Sequence, residues 1–162
     1  MPTTGKIHLT NGVNEAKIND AQINELGYAS RFSHENEIAK AGYYQVLLDD
    51  YNINVELTSS IRAGVHRYTY PKNEDANVIL DLKHRDKLLD YKINIIDSQT
   101  ITGFRHSTEW ARDQRIYFIL KFSIPFLNPI TNGAELNEEY EGFNNEKNVL
   151  ALSFGKISEP LE

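Results

Sequence analysis

Two short stretches concentrate the side chains able to do chemistry. "RFSHENE" (31–37) sets Arg31, Ser33, His34 and Asn36 beside two carboxylates, Glu35 and Glu37. "GFRHSTEWARDQRIYF" (103–118) gathers Arg105, His106, Glu109, Arg112, Asp113 and Gln114 around the only tryptophan, Trp110. An indole can stack on the face of a sugar ring while Arg, Asp and Gln read its hydroxyls, so the second stretch has the composition of a carbohydrate site. The same composition suits a loop joining two strands, with Trp110 plugging a sheet edge. Paired carboxylates are the other enzymatic option. Glycoside hydrolysis needs two, about 5–5.5 Å apart for retention and about 6.5–9.5 Å apart for inversion. Glu35, Glu37, Glu56, Asp81, Asp86 and Asp113 are candidates that sequence alone does not pair.

Other chemistries fall away on spacing. "HRD" at 84–86 resembles a kinase catalytic loop, but the position five after its Asp, where a metal-holding Asn belongs, is Tyr91. Ser33 and His34 are adjacent, so on extended backbone they point to opposite faces, and no G-x-S-x-G elbow is present. With no cysteine in the chain, disulfides, thiolate metal sites and cysteine nucleophiles are excluded. No histidine pair has H-x-x-x-H spacing, and no loop has the oxygen-rich spacing of a calcium hand. His66 alternates with Tyr68 in a strand pattern and reads as a sheet-face histidine bonded to a neighbour. Asp49 and Asp50 diverge if their segment is extended.

The elements that must carry these residues have a period of two. In "RIYFILKFSIPF" Ile116, Phe118, Leu120 and Phe122 share one face, opposite Arg115, Tyr117, Lys121 and Ser123. "ANVILDLK" sets Val78, Leu80 and Leu82 against Asp81 and Lys83, and "YKINII" sets Tyr91, Ile93 and Ile95 against Lys92 and Asn94. "NINVELTSS" turns Val55 and Leu57 inward, and "GVHRYTY" sets Val65, Arg67 and Thr69 against His66, Tyr68 and Tyr70. "DDYN", "PKNED", "DSQT" and "ITNG" supply turn residues between them. The expectation is an all-β fold, an antiparallel β-sandwich with little helix, formed by residues 1–162 as a single domain. Residues 12–26 have the apolar spacing of one or two helical turns or of an ordered loop. Residues 133–147, rich in glutamate, read as a solvated loop.

Seventeen Lys and Arg against twenty-three Asp and Glu give a net charge of −6. That balance lacks the basic footprint of a nucleic-acid binder. No apolar run reaches the roughly eighteen residues of a membrane span, and "MPTTGKIHLTNG" has no apolar core of a signal peptide. Nucleic acid and membrane are therefore not expected partners.

Three blocks, "RFSHENEIAKAGYYQVLLDDYNINVELTSSIRAGVHRYTYP" (31–71), "ILDLKHRD" (79–86) and "TGFRHSTEWARDQRIYFILKFSIPF" (102–126), occur in an order and spacing that resemble the N-terminal domain of the glycoside hydrolase family 92 α-mannosidases. His106 and Ile124 depart from that pattern, where Arg and Lys are frequent. The resemblance implies a β-sandwich that packs on a larger helical domain in a calcium-dependent, inverting exo-α-mannosidase, periplasmic or secreted, acting on mannose-containing glycans. The acid, the base and most calcium ligands belong to the helical domain, so no calcium is expected in this chain, and the chain alone is expected to be inactive. It also implies that the chain is an excised portion of the sandwich, starting after a glycine-rich part and stopping before a final strand.

On this reading the chain shapes a sugar pocket whose chemistry lies elsewhere. "RFSHENE" becomes a loop entering a Tyr43–Tyr51 strand through a sharp turn at Gly42. His34, Glu37, Arg105 and Trp110 are the candidate substrate-binding residues, with none catalytic. A free-standing carbohydrate-binding module is the alternative, with Tyr43, Tyr44, Tyr68 and Tyr70 as its aromatic platform. Edge strands left open predict self-association.

Overall fold

The computed structural model describes residues 1–10, 12, 27–127, 129–131, 134–135, 140–142 and 148–162. The helical or looped reading of 12–26 falls, but for Gly12, outside the described residues.

The described chain is built from antiparallel sheets. The first carries β1 (Pro2–Thr4), β6 (Asp75–Asp81), β13 (Val149–Lys156), β10 (Ile130–Thr131) and β11 (Ala134–Glu135), in that order. The second is β2 (Glu37–Lys40), β3 (Tyr43–Leu48), β4 (Ile53–Ser59) and β5 (Gly64–Thr69), a plain meander. The third places β12 (Tyr140–Gly142) beside β7 (Lys87–Asp97), β8 (Thr100–Thr108) and β9 (Gln114–Lys121). The one described helical element is a 3₁₀ turn at His34–Asn36. The all-β expectation holds. The acidic 133–147 stretch is not the unbroken loop its composition indicated, since within it β11 pairs with β10 and β12 with β7.

All three sheets feed one core. Val46, Ile53, Val55, Tyr68 and Tyr70 from the second sheet meet Val78, Leu150, Leu152 and Phe154 from the first and Tyr91, Ile93 and Ile101 from the third. Ile53, Ile101, Leu150, Leu152 and Leu161 are fully buried, each contributing roughly 1.5–3 kcal/mol of transfer free energy. The inward set in "GVHRYTY" is the Tyr68–Tyr70 side, with Val65, Arg67 and Thr69 exposed.

Two departures from strict alternation have a common cause, strand position. β6 is central and covered on both faces: Val78 faces the main core while Ile79 joins Tyr28, Val149 and Ala151 in a second cluster. β9 is an edge strand, so Phe118, Leu120 and Phe122 are only half-buried and Ile116 is exposed. Gly103 lies where β8 is crowded: a Cβ there would stand 2.3 Å from Lys92 O and 2.6 Å from Phe118 Cζ. Only glycine leaves room for that ring.

Candidate functional site

The "RFSHENE" stretch is a capped turn that becomes a strand. Ser33 Oγ accepts from Glu35 N–H at 3.2 Å and opens the 3₁₀ turn, which brings His34 and Glu37, three apart, side by side. His34 Nδ1 bonds one Glu37 carboxylate oxygen. The other accepts from Tyr44 O–H of β3 at 2.6 Å. Tyr44 reaches Glu37 because β2 and β3 pair antiparallel, putting the two on a diagonal of one face. The Tyr44 bond first and the His34 bond second hold the Glu37 carboxyl below its usual value, while the Tyr44 phenol is raised by the same contact. His34 stays largely in solvent, with its ring edge-on to Phe32.

The front of the stretch is tied to the β3–β4 turn. Arg31 Nε donates to Asp50 Oδ1 at 2.9 Å, and its main-chain N–H donates to Oδ2 at 2.6 Å. The Asp50 side chain is 0% exposed. Asp49 and Asp50 therefore sit in a turn, not on a strand: β3 ends at Leu48, before the expected Tyr51. Gly42 makes the sharp entry to β3, with φ of +77°, a left-handed conformation that favours glycine.

The second stretch is the β8–β9 hairpin. Arg105 spends its guanidinium on the chain itself: Nε donates to Leu82 O at 2.7 Å, Nη1 to Ser107 Oγ at 2.6 Å and Nη2 to Arg85 O at 2.5 Å. It thereby clamps the "KHRD" loop, in which Arg85 and Asp86 both have positive φ, 57° and 52°, a conformation costly for residues bearing Cβ. Asp81 Oδ1 caps the same loop by accepting from Lys83 and His84 N–H. His106 Nε2 meets Asp113 Oδ1 at 2.7 Å across the hairpin. Arg115 Nε donates to the same oxygen at 3.2 Å. Arg115 first, then His106, hold the Asp113 carboxyl down. At the tip, Trp110 is 95% exposed. It plugs no sheet edge.

The structure thus unites His34 with Glu37 and leaves Arg105 and Trp110 on another sheet. Tyr44 is the member of the first cluster that sequence reasoning missed as Glu37's partner, and only the β2–β3 register reveals it. His66 is the sheet-face histidine expected, its Nδ1 2.6 Å from Tyr68 O–H. Tyr68 and Tyr70 are buried, so the four-tyrosine platform does not form.

A general acid at neutral pH needs a carboxyl held up, as burial would do. Glu37 and Asp113 are held down instead. Calcium needs six or more oxygens, and among the described residues no three Asp, Glu or His side chains form a metal-holding group. The described side chains do not fit a calcium ion.

The family model described as "Glycosyl hydrolase family 92 N-terminal domain" matches residues 1–160. No curated protein matches the chain. Among solved structures, the family GH92 alpha-mannosidase BT3965 from Bacteroides thetaiotaomicron superposes with a TM-score of 0.78 at 26% identity, covering 99% of this chain and 22% of that one. The same enzyme in complex with mannoimidazole gives the same values. The chain spans about a fifth of that enzyme's length.

Proposed function

The chain belongs to the glycosyl hydrolase family 92 N-terminal domain family, and from that premise we propose that it is the non-catalytic sandwich portion of an exo-α-mannosidase. It shapes one side of a mannose pocket that a helical domain completes. Calcium, inversion at the anomeric carbon and both catalytic carboxyls belong in this reading to that helical part, in an enzyme exported to the periplasm or beyond. The observation that carries it is the pairing of coverages: almost all of this chain, but only 22% of the mannosidase, is shared.

The local geometry supports a division of roles within the chain. Glu37, held by Tyr44, orients His34, whose exposed ring borders the pocket. Arg105 positions the hairpin by bonding its base, and Trp110 at the tip offers an indole face to the glycan. The exposure of Trp110 also favours the second reading, a free-standing carbohydrate-binding module. That reading is weaker, because Tyr68 and Tyr70, two of the four tyrosines that would extend the platform, are buried.

A proton NMR time course of α-1,2-mannobiose with the chain and calcium tests the assignment. No release of mannose is expected. Mannose appearing first as its β-anomer would make the chain a complete inverting enzyme and end the proposal. Saturable broadening of the sugar signals without turnover would move the assignment to the binding module.

A further inference from the structure

Positive φ is almost confined to glycine and asparagine in this fold. Among the described residues it occurs at Gly5, Gly12, Gly42 and Gly155, at Asn52 and Asn73, and at one adjacent pair of another kind, Arg85 and Asp86. Glycine has no Cβ to crowd there, and asparagine tolerates the left-handed region through its short polar side chain. Aspartate shares that tolerance and arginine does not. With φ of 57°, Arg85 is therefore the costliest residue type placed in this region. Such strain persists only where surrounding bonds hold it. Here Arg105 bonds the carbonyls of Leu82 and Arg85, and Asp81 accepts from the N–H groups of Lys83 and His84.

All of those bonds go to the main chain of the turn. Among the described residues nothing bonds the Arg85 guanidinium or the Asp86 carboxylate, and Arg85 is exposed. The turn is costly, held in shape, and leaves its two charged side chains unused. Its place in the fold adds a third group. Lys87, the next residue, pairs with Thr108, the last of β8, so the turn leaves the third sheet where the β8–β9 hairpin begins to project. The hairpin tip is shaped from within: Glu109 N–H donates to Ala111 O at 3.2 Å, and Thr108 Oγ donates to Arg112 O at 2.9 Å. Trp110 stands between them in solvent. Two braced loops thus present an indole, a guanidinium and a carboxylate.

We propose that the Arg85–Asp86 turn and the Trp110 tip form one sugar site, in which the indole stacks on the C–H face of a pyranose ring while Arg85 and Asp86 bond its vicinal hydroxyls. The guanidinium donates two N–H groups in one plane to neighbouring oxygens. The carboxylate accepts from the same kind of group, and a diol, whose hydroxyls both donate and accept, satisfies both side chains. An anion would engage the arginine and be repelled by Asp86, so the ligand is a neutral sugar. The site rests on the reading of the chain as part of a mannosidase. To Trp110 it adds the residues that choose between sugars, because the vicinal pair must lie on the ring edge facing the turn when the indole covers the ring face. Arg105 is a positioning residue here: it touches no sugar and holds the Arg85 backbone in place.

The test is ¹⁵N NMR on the intact chain, titrated with α-1,2-mannobiose through the millimolar range, beside urea unfolding of two Arg85 variants. The Trp110 indole N–H and the amides of Arg85 and Asp86 are expected to shift together with one Kd. Glycine relieves the positive φ, so Arg85→Gly should raise the urea midpoint while weakening the sugar about three- to tenfold. Arg85→Lys keeps the charge and the strained backbone, and should leave the midpoint unchanged while weakening the sugar to a similar degree. A midpoint that falls in Arg85→Gly would make the arginine a brace and overturn the proposal, as would unchanged affinity in both variants. Shifts confined to residues 31–37, or no shifts at all, also overturn the site. They leave the mannosidase reading standing, since that reading turns on mannose release.

Discussion

In the 31–37 stretch, side chains end on one another: Arg31 on Asp50, His34 on Glu37, and Glu37 on Tyr44. In the β8–β9 hairpin they divide. Arg105 ends on the carbonyls of Leu82 and Arg85, whereas Trp110, five residues on, ends in solvent. The two regions have similar composition, and what separates them is the backbone they must hold. The first ties a loop to the β3–β4 turn. The second must pin the strained 82–86 loop at its base and is free to project at its tip. Density of polar residues therefore marks where loops are braced, and the sugar-facing candidates are the side chains that bracing leaves over, Trp110 and the outer edge of His34.

The sharpest way to break this comparison is at the buried end of the first brace. Asp50→Ala removes a carboxylate with a fully covered side chain and frees the Arg31 donors, and should cost about 2 kcal/mol in urea unfolding. A loss no larger than that of a surface substitution would mean the first stretch is not held from β3–β4. A smaller, pH-dependent effect is expected for Tyr44→Phe. Because the folded carboxyl of Glu37 is depressed, its contribution is fully present above the ordinary value of 4.5 and is lost as pH falls through the folded value. The variant removes the hydrogen bond that contributes most to that depression. Its deficit relative to the parent should be largest above pH 4.5 and close as the solution is acidified. A deficit constant from neutral to acid pH would detach Tyr44 from Glu37. Trp110→Ala should alter stability least, by within about 0.5 kcal/mol, because the indole touches little; a larger loss would show that the tip also braces.

The strand positions were legible where one face is dry and the other wet. Tyr91, Ile93, Val55 and Leu57 alternate as their sequence indicates because β7 and β4 carry one core face. β6 hid its second buried face, since Ile79 reads as the solvent side until β1 and β13 flank it and Tyr28 covers it. The short pairings of β11 and β12 lie in a stretch whose charge masks any period. At the site, sequence located the dense regions but not their partners. Glu37–Tyr44 depends on the β2–β3 register and Arg105–Leu82 on the approach of β8 to a distant loop; both are long-range facts that local spacing does not encode. Trp110 read as a plug sooner than as a platform, because exposure is a property of the hairpin's direction and not of its composition.

The three bonds of its guanidinium make Arg105 a geometric clamp on the 82–86 loop, not a charge offered to ligand. Arg105→Lys tests it most directly, since lysine keeps the charge but is a single point donor that does not span the acceptors on Leu82, Arg85 and Ser107. Urea unfolding of this variant, followed with amide exchange of residues 83–86, should show a loss of about 2 kcal/mol and early opening of that loop. Unchanged stability with a protected loop would contradict the clamp and return Arg105 to the set of direct sugar contacts.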